Sequence, residues 1–372
     1  MRQGPATSSH HSRSSSCGQS HRSHGFYCGF LALVCLLLTA SCTWVNDDTD
    51  DCPEGFWLNL HYTYNILDVE AAPEYVRDVS VFVYDTVGNY VTRIDAPQTL
   101  LKAFGHRVRI QGIPEGDYQF VVWSGIGNSE YTVSGNMLPL DQFRLSLASA
   151  APAPPDSVPA APDTIPAASR ATVPAASAAA PLPDLFFGSL PPVHFDNAYA
   201  VHDVFLMKNT NQLACLIVPL DDSEEMQPDD YTMKVVTANG TMDARNRLVS
   251  PQEITYGPYV KDTVTVDDVD YGLLHGIKFG ISTLRLMEDT DCRLILEKTE
   301  TGETVFNISL PEYIGMIGSL YTALGRPLSV QEYLDRQDFY TIVFFLSGAN
   351  LDQLLQLQVN SWRLRAYHHL KL

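Results

Sequence analysis

The sequence has few basic residues. It carries 24 lysines and arginines against 43 aspartates and glutamates, which gives a formal net charge of −19. Such a surface repels the phosphates of nucleic acids and of anionic lipids, so nucleic acid is excluded as a main partner. Any attachment to a membrane must therefore be hydrophobic rather than electrostatic.

The apolar run near the N-terminus is too short for a typical membrane-spanning helix. It covers residues 26–41, whereas a spanning helix needs about 20 residues. Arginines before it and an acidic stretch after it are typical of a secretory signal. The run ends in LTASC, residues 38–42, which resembles a lipobox. We therefore predict a lipoprotein signal peptide over residues 1–41, lipidation of Cys42 and an acidic tether over residues 42–52. An ordinary signal peptide with an incidental cysteine and an uncleaved anchor are the alternatives.

Cysteine is scarce in the predicted mature chain. Of seven cysteines in the sequence, three precede Cys42, which leaves Cys52, Cys215 and Cys292 beyond it. These widely spaced thiols match no metal-binding pattern and allow at most one disulfide. Buried free thiols are favoured, because a free cysteine packs as a small hydrophobic residue.

Motifs that carry catalysis are absent from the sequence. It has no Gly-x-Ser-x-Gly elbow, no His-Glu-x-x-His and no P-loop. The His368–His369 pair and the acidic clusters at 221–225, 229–230 and 267–270 lack the spacing of a metal site. We therefore predict a protein that is not an enzyme, with no catalytic residue, cofactor or metal. A site assembled from distant strands would leave no such motif.

Short aromatic and β-branched segments, punctuated by Gly, Asn and Asp, predict antiparallel sheets. They include residues 56–62, 79–85, 231–236, 278–286 and 293–297. The polar turn at 299–303 leads from the last of these into residues 305–310, which predicts a hairpin. Pro114 and Gly116 fit a type I turn that joins two strands. Residues 339–346 are apolar on both faces, which is typical of a central strand. Pro311 can open a short helix, and Ser329 with Glu332 forms a capping box ahead of another.

An abrupt change in composition bears on the domain organisation. Alanine and proline dominate residues 150–183. Such a segment buries too little surface to offset its ordering entropy. We predict a disordered insertion over residues 148–183 in an N-terminal β-sandwich domain at 53–200. A C-terminal β-sandwich domain follows at 201–372. The stretch after Asn360 is either the last strand of that domain or a mobile donor strand.

The order of several motifs resembles the FimB/Mfa2 family of fimbrial anchors of Bacteroidales. The motifs are the Cys42 lipobox, DCP at 51–53, VFVYD at 81–85, LMKNTN at 206–211, TLRL at 283–286 and EYLDR at 332–336. The resemblance covers residues 51–372. It implies an all-β fold of two tandem transthyretin-like β-sandwich domains with short helical insertions. It also implies a lipid-anchored protein of the cell outer membrane.

The resemblance further implies a function and a partner. The chain would anchor the base of a fimbrium, limit its length and bind the fimbrial stalk subunit. Family fimbriae assemble when a strand of one subunit fills a groove in another, which satisfies the unpaired hydrogen bonds of a sheet edge. Whether this chain donates or accepts the strand stays open.

Two other functions remain possible on the sequence alone. The first is a surface-exposed glycan- or ligand-binding lipoprotein, which would display aromatic side chains on a concave surface. Its candidates are Trp44, Trp57, Trp123 and Trp362. The second is a surface hydrolase, which would group polar residues in a pocket. An unpaired sheet edge beside a groove would favour the anchor.

Overall fold

The computed structural model describes residues 55–134, 137–148, 181–196, 198–220, 226–318, 324–347, 353–360 and 362–365. All of them belong to one compact unit, Glu54–Leu372. The predicted signal peptide, Cys42, the tether, Cys52 and residues 149–180 of the predicted insertion lie outside the described residues. So do the acidic cluster 221–225 and the His368–His369 pair.

Strands make up most of the described chain. In the N-terminal half they are β1 Phe56–His61, β2 Asp78–Asp85, β3 Tyr90–Pro97, β4 Arg107–Ile110, β5 Gly116–Ser124, β6 Tyr131–Val133, β7 Arg144–Leu147, β8 Phe186–Phe195, β9 Ala200–Phe205 and β10 Met207–Lys208. Two short helices, α1 Ala72–Tyr75 and α2 Gln98–Ala103, connect them. The prediction of an all-β fold is confirmed.

The C-terminal half begins at Thr210. Its strands are β11 Thr210–Pro219, β12 Tyr231–Thr237, β13 Thr241–Asp243, β14 Ile254–Tyr256, β15 Pro258–Asp268, β16 Gly272–Leu284, β17 Cys292–Lys298, β18 Thr304–Ser309, β19 Phe339–Ser347, β20 Gln353–Val359 and β21 Trp362–Arg365. Its helices are α3 Leu310–Gly318 and α4 Val330–Arg336.

Two sheets of the N-terminal half enclose a hydrophobic core. One has the strand order β4-β1-β9 and the other β10-β8-β5-β2-β3. Side chains of a strand alternate between its two faces, so Phe56, Leu58 and Leu60 of β1 all point into this core. Full burial of one such side chain stabilises the fold by about 1.5–3 kcal/mol.

The five-stranded sheet is buried on both faces. Val81 and Val83 of β2 pack into the first core, whereas Phe82 and Tyr84 belong to a second one. Apolar residues on consecutive positions are expected of a strand that is covered on both sides. This sheet is therefore the middle layer of the N-terminal half.

The second core continues into the C-terminal half. There it fills the space between a six-stranded sheet, β15-β16-β11-β19-β20-β21, and a four-stranded sheet, β14-β12-β17-β18. Strand β19 runs parallel to β11 and antiparallel to β20, so the predicted central strand is confirmed. Strands β17 and β18 form the predicted hairpin.

A small sheet joins the two halves. Its order is β13-β7-β6, and Met242 of β13 lies opposite Leu145 of β7. Both side chains are buried in the second core. Hydrophobic contact is therefore continuous across the halves, which explains why they form one compact unit.

Both predicted helices are present, and the N-cap half of the predicted capping box is confirmed. Pro311 is the second residue of α3. Ser329 is the N-cap of α4, and its side chain accepts a hydrogen bond of 3.1 Å from the backbone N–H of Glu332. The cap satisfies one of the N–H groups that the first helical turn leaves without a partner.

The turn at Pro114–Gly116 joins β4 to β5, as predicted, but these two strands do not pair with each other and form no hairpin. Strand β4 pairs with β1, whereas β5 pairs with β2 and β8 in the other sheet. Ile113 is buried in the first core, which pulls the connection across the end of the sandwich. The Tyr118 hydroxyl donates to the carbonyl oxygen of Pro114 at 3.0 Å and closes this arch.

The strand pairing shows that the chain passes from the N-terminal half to the C-terminal half after residue 200, the predicted boundary. Strand β9, which starts at Ala200, pairs with β1, and β10 pairs with β8. The chain enters the six-stranded sheet only at Thr210. The division of the chain into two domains stays a prediction.

Candidate functional site

A groove opens along one side of the N-terminal half, where β8 and β9 face each other with edges that no other described strand fully covers. Its volume is about 500 Å³. We call it the β8–β9 groove, and it is lined by Thr63, Tyr64, residues 187–191, Asp203, Phe205, Leu206 and Met207. Most of these side chains are apolar, and Phe205 is 61% exposed. The site therefore combines an apolar surface with unpaired backbone.

The edge of β9 that faces away from β1 has backbone N–H and C=O groups that can form hydrogen bonds with another strand. In its parallel pairing with β1, the N–H of Ala200 donates to Gly55 and the N–H of Leu206 donates to His61. Alternate residues of a strand turn their backbone groups toward opposite neighbours. Val201, Asp203 and Phe205 consequently turn theirs away from β1, and Asp203 and Phe205 line the groove.

The edge of β8 is less able to pair. Strand β10 covers only Phe186 and Phe187, so the rest of this edge has no strand beside it within the described residues. Pro191 and Pro192 lie in that open stretch. Proline has no N–H to donate and interrupts a ladder of hydrogen bonds. An incoming strand would therefore pair with β9.

Gly188 sets how closely the two edges approach at the floor of the groove. A Cβ atom there would lie 2.8 Å from both Val204 Cγ1 and Leu206 Cδ2. Such contacts are too short for carbon atoms, so a larger residue forces the side chains of Val204 and Leu206, or β9 itself, to shift. No local sequence pattern indicates this close approach, because it depends on two strands from different sheets.

We predict that Gly188→Ala lowers the free energy of unfolding by about 1–3 kcal/mol, the usual cost of overpacking a core. Urea denaturation measures this loss. Gly127→Ala is the matched control, since nothing lies within 4 Å of a Cβ atom at that position. Equal stability of the two variants would contradict the close approach at Gly188.

A polar cluster fixes the outer face of β9. Asp203 accepts a hydrogen bond of 2.8 Å from Asn59, and His61 lies 3.1 Å from Asp203 and 2.7 Å from Glu70. Burial lowers the pKa of His61, but its hydrogen bonds with Glu70 and Asp203 outweigh burial and raise it. Hydrogen bonds from Asn59 and His61 lower the pKa of Asp203. The cluster thus holds β9 against β1.

Lys208 ties the end of the groove to the C-terminal half. Its Nζ lies 2.8 Å from Asp184 and 2.7 Å from Asp338, and its side chain is only 7% exposed. Burial lowers the pKa of Lys208, but the two carboxylates outweigh burial and raise it. A buried cation with two acidic partners fixes β10 in place.

Arg336 of α4 reaches across to the loop that follows β1. Its Nη1 donates to the carbonyl oxygen of Asn65 and to Asp68, both at 3.2 Å. Its guanidinium also lies 4.3 Å from the ring centroid of Tyr64, a residue that lines the groove. The wall of the groove is therefore braced from the C-terminal half.

A second buried ion pair strengthens the same region. Arg285 and Asp335 form two parallel hydrogen bonds of 2.8 Å, and their side chains are 12% and 7% exposed. Arg285 also donates to the carbonyl oxygen of Asn246, and Gln331 donates to Asp335. Asp335 therefore lies at the centre of a network that connects α4 to β16 and to the loop after β13.

The remaining cysteines of the described chain are buried free thiols. Cys215 and Cys292 form no disulfide there, which fits the state that the sequence favoured. Burial raises the pKa of each thiol to about 12. A thiol that stays protonated is a poor nucleophile and a poor metal ligand.

Two of the tryptophans considered for glycan binding can be placed. Trp123 is fully buried in the second core. Trp57 is partly buried between Phe104, with ring centroids 5.3 Å apart, and Arg109, whose guanidinium lies 5.8 Å from the Trp57 ring. Trp44 lies outside the described residues, and so does the side chain of Trp362.

The described residues contain no group of three or more His, Cys, Asp or Glu side chains that could hold a metal ion. The cluster at 267–270 forms a turn in which the Asp268 carboxylate accepts from the N–H groups of Asp270 and Tyr271. No helix among the described residues is long and apolar enough to cross a membrane.

Comparison with known proteins identifies relatives of this chain. A sequence model of the fimbrillin-A associated anchor proteins Mfa1 and Mfa2 matches residues 49–367. No curated protein matches the sequence.

Three solved structures share the fold. A candidate adhesin from Bacteroides thetaiotaomicron is 22% identical, with a TM-score of 0.69 over 85% of this chain and 98% of that one. A candidate polysaccharide-binding protein from the same organism is 24% identical, with a TM-score of 0.64 over 84% and 97% of the two chains. The fimbrial anchor protein Mfa2 from Porphyromonas gingivalis is 16% identical, with a TM-score of 0.57 over 85% and 100%.

Proposed function

We propose that this chain, which belongs to the family of fimbrillin-A associated anchor proteins, fixes the base of a fimbrium to the outer membrane by accepting a strand of the stalk subunit. The β8–β9 groove is the observation that supports strand acceptance. It offers an apolar surface beside the unpaired edge of β9. A strand added there satisfies backbone groups and covers apolar side chains at once.

Other free edges of the described sheets fit a docked strand less well. Strand β15 is the edge of the six-stranded sheet, but several of its side chains are exposed and it does not line the β8–β9 groove. Main-chain hydrogen bonds each add only about 0.5–1.5 kcal/mol, so a buried apolar surface is needed for a stable complex. Only β9 combines both contributions at this groove.

The pairing of the C-terminal strands supports the role of strand acceptor rather than donor. Strand β21 pairs with β20 in its own sheet, with Trp362 opposite Val359. A strand that completes its own sheet is not free to fill the groove of another subunit. We therefore infer that the stalk subunit supplies the strand.

Attachment to the membrane is the second part of the proposal. Cys42 would carry the lipid after removal of residues 1–41, and residues 42–52 would form the tether. Each buried CH₂ of an acyl chain contributes about 0.8 kcal/mol to membrane binding. A chain of net charge −19 cannot gain such binding energy from attraction to anionic lipid. An anchor that is lipidated at one end and accepts a strand in its groove would also end growth of the fimbrium at its base. The length of the fimbrium would therefore be limited.

We predict that Val201→Pro weakens binding of the purified stalk subunit at least about tenfold. The substitution removes an N–H on the edge of β9 that faces away from β1, and the ring blocks the approaching strand, whereas the pairing of β9 with β1 does not use this N–H. Biolayer interferometry measures the dissociation constant.

Val201→Ala is the matched control for this experiment, because it shortens the same side chain and keeps the backbone N–H. Thermal unfolding of both variants establishes that β9 still pairs with β1. Unchanged binding by a folded Val201→Pro chain would exclude β9 as the acceptor edge.

A further inference from the structure

A second cavity, of about 620 Å³, lies between the N-terminal and C-terminal halves. Its walls are the turn at 86–88, the segment 139–144 and the loop 243–249, with Pro192 of β8 at one side. It shares no lining residue with the β8–β9 groove. We call it the arginine cleft, because Arg144, Arg245 and Arg247 all line it.

The loop that presents two of these arginines is rigid. The Asp243 carboxylate accepts hydrogen bonds from the backbone N–H groups of Arg245, at 2.8 Å, and Arg247, at 3.0 Å. Asn246 between them turns inward and pairs with the buried Asn209 through two amide hydrogen bonds. The side chains of Arg245 and Arg247 therefore remain on the exposed side of a fixed turn.

The third arginine comes from the neighbouring strand. Arg144 lies opposite Asp243 in the pairing of β7 with β13. Its Nη1 donates to the carbonyl oxygens of Asp141 and Phe143, both at 2.7 Å. These bonds orient the guanidinium without neutralising it, because a carbonyl carries no net charge.

Positive charge in the arginine cleft is only partly compensated. Arg247 pairs with Asp243 at 2.7 Å, but within the described residues neither Arg144 nor Arg245 forms an ion pair. Asp141 is the other acidic residue of the lining. The planar donors of these two guanidinium groups fit carboxylates.

We propose that the arginine cleft binds an extended acidic peptide segment of a partner protein. Arg144 and Arg245 would hold its carboxylates, and the apolar side chains at the rim would contact its other residues. Val87 is 80% exposed and Val249 39% exposed there. No aromatic side chain lines the cleft among the described residues, so a sugar would lack a stacking surface.

Titration of the purified full chain with a fluorescein-labelled peptide of alternating Glu and Val residues tests this proposal. We expect saturable binding that weakens at high salt, and no binding of the matching Gln–Val peptide. The double variant Arg144→Gln/Arg245→Gln should lose at least about tenfold in affinity, since both lost contacts are charge-assisted hydrogen bonds.

The double variant Arg107→Gln/Arg109→Gln is the matched control, because both arginines are exposed on β4 outside the arginine cleft. It also removes two positive charges and should leave the affinity unchanged. Equal losses from the two double variants would overturn the proposal, since they would show attraction by overall charge. Tighter binding of polygalacturonate than of the Glu–Val peptide would overturn it as well, in favour of an acidic glycan.

Discussion

Replacement of Cys42 by alanine is expected to release the protein from the membrane almost completely. The thiol is the predicted acceptor of the lipid, and each CH₂ of the lost acyl chains would otherwise contribute about 0.8 kcal/mol. Fractionation of cells into membrane and soluble material measures the release. If the chain anchors fimbriae, electron microscopy should also show fimbriae that are shed or lengthened in the Cys42→Ala strain.

Cys35→Ala and Cys52→Ala are the controls for this prediction, since one precedes the proposed cleavage point and the other follows it. Both should leave the protein in the membrane and the fimbriae on the cell. Retention of the Cys42→Ala protein in the membrane would contradict lipidation at this residue. Release of the protein with unchanged fimbriae would contradict the anchoring role and leave the lipidation intact.

Asp335→Ala should lower the free energy of unfolding by about 3–5 kcal/mol. The change leaves Arg285, whose side chain is only 12% exposed, without its carboxylate partner. Removing one member of a buried pair costs more than the pair contributes, because the remaining charge is desolvated. Chemical denaturation of the purified chain measures the loss.

Glu303→Ala is a suitable control, because it breaks the pair between Lys298 and Glu303, whose Glu303 side chain is 57% exposed. Exposed pairs contribute little in water, so this variant should unfold like the unaltered chain. A similar small effect of Asp335→Ala would show that the network around Arg285 does not hold α4 against β16 and the loop after β13.

The local elements could be predicted from the sequence because their signals lie within a few residues. The capping box at Ser329 and Glu332 and the hairpin of β17 and β18 are examples. Each depends on hydrogen bonds between near neighbours, so a short pattern carries the whole signal.

Pairing between distant strands could not be predicted in this way. The turn at Pro114 has the residues of a hairpin, but burial of Ile113 carries the chain to another sheet. Strand β9 lies beside β1, far away in sequence, and this pairing creates the free edge of the groove. The segment between these two strands is so long that no pattern of neighbouring residues predicts their pairing.

The two cavities also depend on contacts between strands that are distant in sequence. Phe205 and Pro191 belong to one surface only because β8 and β9 fold against each other. Arg144 and Arg245 meet because β7 pairs with β13. Cys42, in contrast, is marked by residues next to it in the chain, so it could be proposed from the sequence alone.

Hydrogen–deuterium exchange with and without the fimbrial stalk subunit tests the acceptance of a strand most directly. The account predicts that amide exchange slows across residues 200–206, where Val201, Asp203 and Phe205 gain partners, and that it stays unchanged along β15, Pro258–Asp268. Protection confined to β15, or no protection at β9 under saturating stalk subunit, would contradict it.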